Sequence, residues 1–325
     1  MKIAVDAMGG DNGSAPVIEA IKEFKKIYPK DEIIVFGKKE ELNELSSICR
    51  IVDAPEVVPM AAGALEVIRM KNSSMCKAIT MMRDEGFDAI VSCGSTGGFL
   101  SAATIILKMI QGVKRAALVT AFPTKVKGKK VVVLDVGANN ENSPEELVQF
   151  AYMGKAYHQA LFGNSKPRTY LLSNGSESHK GSPLVKDTYE LLFSHNFEGF
   201  KGNMEARDVL NGEADILVAD GFSGNVLLKG IEGVAKMMGS MIKENFKKNL
   251  WTKLGYLHVR KGFQNMSETM DYKSVGGAML VGINGVVIKA HGNSDAYSFK
   301  NAMKVAHQMV ENDVVNKIKE SLENE

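Results

Sequence analysis

The feature that most restricts the fold of this chain is a repeated unit. A short apolar run ends at a turn of Gly, Ser, Asn and Asp, and a helix-patterned segment follows most of these turns. Six such runs stand out. Ile3-Ala4-Val5 ends at Asp6-Ala7-Met8-Gly9-Gly10-Asp11, Ala89-Ile90-Val91 at Cys93-Gly94-Ser95-Thr96-Gly97-Gly98, and Val131 to Leu134 at Asp135-Val136-Gly137-Ala138-Asn139-Asn140. Leu171-Leu172 ends at Ser173-Asn174-Gly175-Ser176-Glu177, Ile216 to Ala219 at Asp220-Gly221-Phe222-Ser223-Gly224-Asn225, and Val286 to Ile288 at His291-Gly292-Asn293-Ser294-Asp295. Strand alternating with helix from end to end predicts an α/β fold with a mostly parallel sheet covered on both faces. In an open sheet of that kind such turns gather outside the carboxyl ends of the strands, where bare backbone N–H groups and helix N-termini hold small oxyanions. Function is expected there.

Helical spacing marks Ser14 to Ile27, Ser74 to Asp84, Thr96 to Lys108, Ser143 to Leu161, Pro183 to His195, Gly224 to Phe246 and Ser294 to Leu322. The last has the clearest period, through Phe299, Ala302, Met303, Ala306, Met309, Val310, Val314, Ile318 and Leu322, with Ser294 placed to cap it. Ser143-Pro144-Glu145-Glu146 supplies an N-cap, a proline at the first helical position and acids in the first turn. The Lys-rich turn Thr124 to Lys130 reads as a hairpin or a lobe crossing. No internal repeat or Pro/Ser-rich linker divides the chain, so residues 1–325 read as a single α/β catalytic unit, at most two intertwined lobes.

At 325 residues with 45% hydrophobic content the chain can bury one large core or two medium ones, which excludes disorder as its theme. Asp6 stands where a signal peptide would need apolar residues, and no apolar run is long enough to span a membrane, so a cytoplasmic protein is expected. Cys49, Cys76 and Cys93 lack paired spacing and read as reduced thiols.

Each turn has a plain reading beside a functional one. Cys93 to Gly98 is either a tight strand-to-helix connection or an anion cradle made by the N–H groups of Ser95 to Gly98 and the Thr96 hydroxyl. Neither G-x-G-x-x-G nor G-x-x-x-x-G-K-[ST] occurs in strand–helix context, which argues against nucleotide binding. Asn225 is a turn residue or a neutral oxyanion donor. Lys180 is a solvated loop lysine or the mobile positive charge that a phosphate needs. His291 is a buried hydrogen-bonded imidazole or a general acid/base. Asp6 and Asp11 could pair with lysines or bind a metal, but no cluster has recognisable metal spacing, so neither metal nor cofactor is expected. There is no G-x-S-x-G elbow, and Cys93 has no basic partner nearby in sequence, which disfavours a covalent acyl-enzyme.

A second charged feature spans 243–261. Lys243, Lys247, Lys248, Lys253, Arg260 and Lys261 oppose only Glu244, and Phe246, Leu250, Trp251, Leu254 and Leu257 fall at helical spacing. The plain reading is a surface helix or dimer contact; the functional one is a basic amphipathic segment that docks on an anionic membrane or an acidic protein. With no base-reading motif, nucleic acid is not an expected partner.

Over almost its full length the chain resembles the bacterial phosphate acyltransferases, which convert acyl-acyl carrier protein and inorganic phosphate into acyl phosphate for phospholipid synthesis. The resemblance is carried by Asp6-Ala7-Met8-Gly9-Gly10-Asp11, Lys71-Asn72-Ser73-Ser74-Met75, Leu134-Asp135-Val136-Gly137-Ala138-Asn139 and Glu205-Ala206-Arg207-Asp208, then by Asp220 to Asn225, Gly276-Gly277-Ala278 and Lys289-Ala290-His291-Gly292-Asn293-Ser294-Asp295. It implies a three-layer α/β/α fold like that of isocitrate and isopropylmalate dehydrogenases, a homodimer, and peripheral association with the membrane. Lys180 matches a loop lysine considered catalytic in the family, and Asn225 matches as well. The sequence departs from the pattern at Asn12, where a His is usual, at Ser95 and Ser173, where the family has Asn, and at Val275, where Tyr is common.

The residue types suit the implied chemistry. Phosphate is already an anionic nucleophile at neutral pH, so holding it and stabilising the carbonyl oxyanion matter more than deprotonation. The expected catalytic residues are Lys180, Asn225 and His291. Substrate and phosphate binding is expected from Asp6, Gly9, Gly10, Gly94, Ser95, Thr96, Gly97, Asn139, Gly221, Gly224, Gly292 and Ser294. Membrane or carrier docking is expected from Lys247, Lys248, Leu250, Trp251, Leu254 and Leu257. The expected partners are acyl-acyl carrier protein, inorganic phosphate, a second copy of the chain, an anionic membrane surface and a membrane-embedded glycerol-phosphate acyltransferase. Two competing classes are a non-catalytic scaffold that brings carrier protein to the membrane, and an NAD-dependent decarboxylating dehydrogenase of the same fold.

Overall fold

A computed structural model of the chain describes residues 1–59, 61–248 and 276–323, with the isolated positions 252, 255, 259 and 262. Its strands are β1 (Lys2–Asp6), β2 (Glu32–Gly37), β3 (Arg50–Asp53), β4 (Ala89–Ser92), β5 (Ala117–Pro123), β6 (Lys130–Leu134), β7 (Thr169–Ser173), β8 (Phe200–Glu205), β9 (Ile216–Val218), β10 (Ala278–Val281) and β11 (Val286–Lys289). The helices are α1 (Ala15–Ile27), α2 (Lys39–Leu42), α3 (Ala64–Arg69), α4 (Ser74–Glu85), α5 (Thr96–Leu107), α6 (Pro144–Phe162), α7 (Pro183–Ser194), α8 (Gly221–Lys247), α9 (Ala296–Glu311) and α10 (Val314–Glu323). All the apolar runs singled out in the sequence are strands. β2, β3, β5, β8 and β10 were not singled out; an all-apolar run such as Ile33 to Phe36 carries no period to separate buried strand from buried helix.

The strands form one sheet in the order β3-β2-β1-β4-β11-β10-β5-β6-β9-β7-β8. β3, β2, β1, β4 and β11 are parallel, as are β6, β9, β7 and β8. Between these blocks β10 is antiparallel to both β11 and β5, and β5 is antiparallel to β6. The two blocks therefore point in opposite directions. Alternate residues feed opposite faces: Ile3, Val5, Val132 and Leu134 join one apolar cluster with α1, α6, α9 and α10. Ala4, Val131 and Val133 join another with α4, α5 and part of α8. Both faces are covered, as parallel strands require.

Caps explain most helix boundaries. Ser143 and Glu146 form a capping box on α6, Pro144 opens the helix and Gly163 closes it at φ 72°. The expected helix from Ser294 to Leu322 is two helices, a correction with a local cause. Asp295, not Ser294, caps α9 in a capping box with Ser298, and the chain breaks at Asn312 and Asp313, the latter at φ 52°. Short polar residues tolerate that conformation, while Val314 and Ile318 resume the apolar period and hide the break. Thr124 to Lys130 is the antiparallel β5–β6 hairpin, closed by the Thr124 N–H on the Lys129 carbonyl at 3.0 Å.

The start of α8 shows how tightly one edge is packed, since a Cβ placed on Gly224 would run into the Asp135 carbonyl oxygen. We expect Gly224→Ala to destabilise by about 3 kcal/mol, the upper range for overpacking against groups that cannot yield. On the same helix Gly239 faces open space, and Gly239→Ala should stabilise by up to about 1 kcal/mol through helix propensity. Urea unfolding of the two variants should show shifts of opposite sign.

Candidate active site

The carboxyl ends of β1, β4 and β11 carry a row of polar side chains. Asp6 pairs with Ser92 across β1–β4, and Ser92 pairs with Lys289 across β4–β11. Ser92 Oγ donates to Asp6 Oδ2 at 2.7 Å, the Met8 N–H donates to Asp6 Oδ1 at 3.1 Å, and the Gly94 N–H donates to Ser92 Oγ at 3.1 Å. Lys289 is only 8% exposed, and its Nζ donates to the Ala290 carbonyl. Burial pushes the Asp6 carboxyl up, against hydrogen bonds from Ser74, Ser92 and Met8 and the charge of Lys289. Burial drives Lys289 down to about 8, opposed by Cys93, Asp6 and Asp11 and assisted by Lys229. The Cys93 thiol is pushed up to about 12, chiefly by burial and then by Asp6, which leaves it a poor nucleophile.

Three turns meet above this row. A Cβ on Gly9 would stand 3.1 Å from Gly94 Cα, and one on Gly10 would stand 3.3 Å from the Gly292 carbonyl oxygen. The Asp11 N–H donates to that carbonyl at 2.8 Å, and Asn12 Nδ2 reaches the Asn293 and Ser294 carbonyls at 3.2 and 3.3 Å. Asn12 thus ties two turns together at the position where the family usually has His. Ser95 Oγ caps α5 by accepting from the Gly98 N–H at 3.3 Å, while Thr96 and Gly97 are exposed at the helix start. Ser294 Oγ is buried with no hydrogen-bond partner. Asp6, Gly9, Gly10, Gly94, Ser95, Thr96, Gly97, His291, Gly292 and Ser294 are therefore brought together.

The remaining expected residues lie elsewhere, because β6, β9 and β7 point the opposite way and their carboxyl ends are at the other edge of the sheet. There Asp135 organises the turn after β6. Its Oδ1 accepts from the N–H groups of Leu118, Gly137 and Ala138 at 2.9, 3.0 and 2.9 Å. Its Oδ2 accepts from the Asn139 N–H and Nδ2 at 3.0 and 2.8 Å. Asn139 Nδ2 also reaches the Ala116 carbonyl at 2.8 Å, so this amide is engaged in holding the turn. Gly221 and Gly224 pack against the same turn, and the exposed Asn225 lies over Gly137, whose Cβ would be 3.1 Å from Asn225 Cγ. The exposed Lys180 sits in the loop after β7. That loop is held by the Gly181 N–H on Asn174 Oδ1 at 3.0 Å and by Asn203 Nδ2 on the Glu177 carbonyl at 2.8 Å. β7 and β9 are neighbours, so Lys180 and Asn225 follow adjacent strands. The expectation that all the turns gather in one place is corrected to two groups at opposite edges.

Helix α8 connects the groups. Counting from Asn225, Lys229 and Glu232 fall at i+4 and i+7 on one side of the helix, about 10 Å of axis in all. Lys229 Nζ contacts Glu232 Oε2 at 2.9 Å, and His291 Nε2 lies 3.3 Å from Glu232 Oε1. That second contact is within ion-pair range but off the hydrogen-bond direction, since Oε1 accepts no aligned bond. Burial pushes the His291 imidazole below its ordinary value, while Glu232 pulls it up and Lys229 and Lys289 push it down. Glu232 also lines a cavity of ≈ 680 Å³ whose wall includes Phe122, Leu210, Leu227, Ile231 and Val234. A mainly apolar recess of that size suits an alkyl chain.

Ser92, Lys229 and Glu232 were not singled out in the sequence, and Lys289 was named only as the first residue of a motif that carries the family resemblance. Ser92 and Lys289 close apolar runs as Asp6 does, and Glu232 is two helical turns beyond Asn225; both signals were present. Of the expected docking residues, Lys247 ends α8 and Lys248 is exposed, while Leu250, Trp251, Leu254 and Leu257 lie outside the described residues. No described helix is long and apolar enough to cross a membrane, and no group of three or more His, Cys, Asp or Glu that could hold a metal ion occurs among the described residues.

This mixed α/β architecture is shared with a phosphotransacetylase from Streptococcus pyogenes, at a TM-score of 0.62 and 19% identity over 97% of this chain and 94% of that one. A family model described as "Fatty acid synthesis protein" matches residues 1–317. Proteins named phosphate acyltransferase from Clostridium perfringens strain SM101 and from Exiguobacterium sp. are each 40% identical. The first covers 99% of this chain and 97% of its own length, the second 98% of each. The chain belongs to the phosphate acyltransferase family and is an acyltransferase.

The charges around His291 make a testable set. Removing the Glu232 carboxylate with Glu232→Gln should lower the His291 pKa further, and removing the Lys229 charge with Lys229→Met should raise it. NMR titration of the imidazole resonances would read both directions.

Proposed function

We propose that the protein transfers an acyl group from acyl-acyl carrier protein to inorganic phosphate, forming the acyl phosphate that feeds phosphatidic acid synthesis. The observation that carries this reading is the contact of Glu232 with His291, which joins an apolar recess to a turn cluster suited to an oxyanion. In this reading the turns at Gly9-Gly10, Gly94 to Gly98 and His291 to Ser294 hold phosphate through N–H groups other than those of Gly94, Gly98 and Ser294, which bond within the turns, and the alkyl chain lies along Leu227 and Ile231. A phosphate oxygen attacks the thioester carbonyl, the C–S bond breaks, and the phosphopantetheine sulfur leaves as thiolate. In this reading His291 hands a proton to that sulfur. Asn225, at the other end of the same stretch of α8, donates to the carbonyl oxyanion, and Lys180, in the loop after the neighbouring strand, neutralises it.

The finer architecture we read as three-layer α/β/α of the isocitrate and isopropylmalate dehydrogenase kind, which the two apolar clusters on opposite faces support. A homodimer is favoured by the uncovered Val226, Val234, Met237, Met238 and Met241 of α8. The basic character of 243–261 favours peripheral docking on an anionic membrane, close to a membrane-embedded glycerol-phosphate acyltransferase that would consume the product.

Purified protein should consume acyl-carrier thioester and yield acyl phosphate only when phosphate is supplied; binding without phosphate-dependent turnover would instead favour a scaffold. Asn225→Ala and Lys180→Ala should each lower kcat by about 10²–10³-fold with folding intact, the loss typical of one oxyanion donor. Full turnover in both would remove their assignment.

The recess makes a separate prediction. Filling it with Ile231→Trp should raise KM for long acyl chains far more than for short ones. A parallel series of carrier thioesters of increasing chain length would reveal whether the alkyl group lies there.

A further inference from the structure

We propose that Lys289 is a positioning residue for phosphate: the buried counter-charge beneath the anion-holding turns, which also fixes the His291 turn by bonding the Ala290 carbonyl. This deepens the function proposed above and rests on it. The geometry is unusual for a lysine. It ends the otherwise apolar strand Val286–Lys289 in the middle of the sheet and is only 8% exposed. A buried ammonium is retained only where a partner repays its desolvation. The partner here is the row itself, with Ser92 beside Lys289 and Asp6 beside Ser92. Directly above are the turns at Gly9-Gly10, Cys93 to Gly97 and His291 to Ser294, which pack closely at Gly9 and Gly10.

The charged and titratable groups facing Lys289 are Asp6 on β1, Asp11 in the following turn, Cys93 after β4, Lys229 on α8 and His291 two residues on. With Asp6 ionised the row is nearly neutral; with Asp6 protonated it is positive. Burial works toward the second state, because it pushes Asp6 up, while the hydrogen bonds from Ser74, Ser92 and Met8 and the charge of Lys289 work toward the first. A phosphate bound above the row favours the second state, so binding and protonation of the row support each other. Since burial also brings Lys289 down to about 8, the support weakens as pH rises through that value and the ammonium loses its proton.

The test is the phosphate KM between pH 6 and 9.5 for the natural protein, Lys289→Arg and Lys289→Met, with phosphate-induced thermal stabilisation as an activity-independent measure of binding. The natural protein should lose phosphate affinity above about pH 8, beyond what phosphate's own ionisation causes in all three proteins. Lys289→Arg, charged throughout, should lack that alkaline loss. Lys289→Met should bind phosphate about 10- to 100-fold more weakly at neutral pH, the size of a lost charged interaction, with kcat at saturating phosphate much less affected. If Lys289→Met does not fold, the comparison of Arg with the natural protein decides alone. A natural alkaline loss that persists in Lys289→Arg, or an unchanged phosphate KM in folded Lys289→Met, overturns the proposal while leaving acyl phosphate formation intact. Absence of acyl phosphate formation by the natural protein would overturn the proposed function itself.

Discussion

The antiparallel ladder through β11, β10, β5 and β6 decides where every functional group in this molecule can stand. A parallel sheet puts all its carboxyl-end turns at one edge. Here the ladder reverses the strand direction midway, so the turns after β1, β4 and β11 face one edge and those after β6, β9 and β7 face the other. The two edges are built on different physics. The first presents backbone N–H groups above a buried row of Asp6, Ser92 and Lys289. The second is organised by the buried Asp135, whose accepted hydrogen bonds are intramolecular.

Helix α8 is the element that links the two edges. It starts against the Asp135 turn, where glycines are required because backbone presses on backbone, and its fourth turn brings Glu232 to His291. Between these points its inner side, Leu227 and Ile231, helps wall the apolar recess. An amphipathic helix normally buries one stripe against the core. Here part of that stripe borders a cavity, and a hydrophobic face that borders space is available to a ligand.

How much of this could be read beforehand follows from which signals are local. Strand-ending turns, caps such as Ser143 and the β5–β6 hairpin are decided within a few residues, and each was legible. The direction of a strand is not local. Nothing in Val131 to Leu134 differs in kind from Ile3 to Val5, yet they run in opposite senses because β10 and β5 intervene. The turn groups were therefore identified correctly as turns and expected in one place when they occupy two. Asn139 and Ser95 show a second limit, because a polar side chain in a Gly-rich turn looks the same whether it awaits a ligand or holds the turn. Lys289 shows the converse, where a lysine at the end of an apolar run passes for a surface residue until its neighbours across the sheet are known.

The arrangement also explains how a buried row of ionisable groups is tolerable here. Burying Asp6, Cys93 and Lys289 in one patch costs desolvation for whichever of them is charged, and burial opposes the charged form of each. Water would relieve that cost but would also compete for a mixed acyl anhydride. A site that must hold an anion while keeping an activated acyl group from hydrolysis is better served by fixed N–H groups and an immobilised cation than by mobile solvent, because such groups need no reorganisation when charge develops. Cys93 fits the same logic: burial keeps it a thiol, so it fills space among the turns without competing with phosphate for the acyl group.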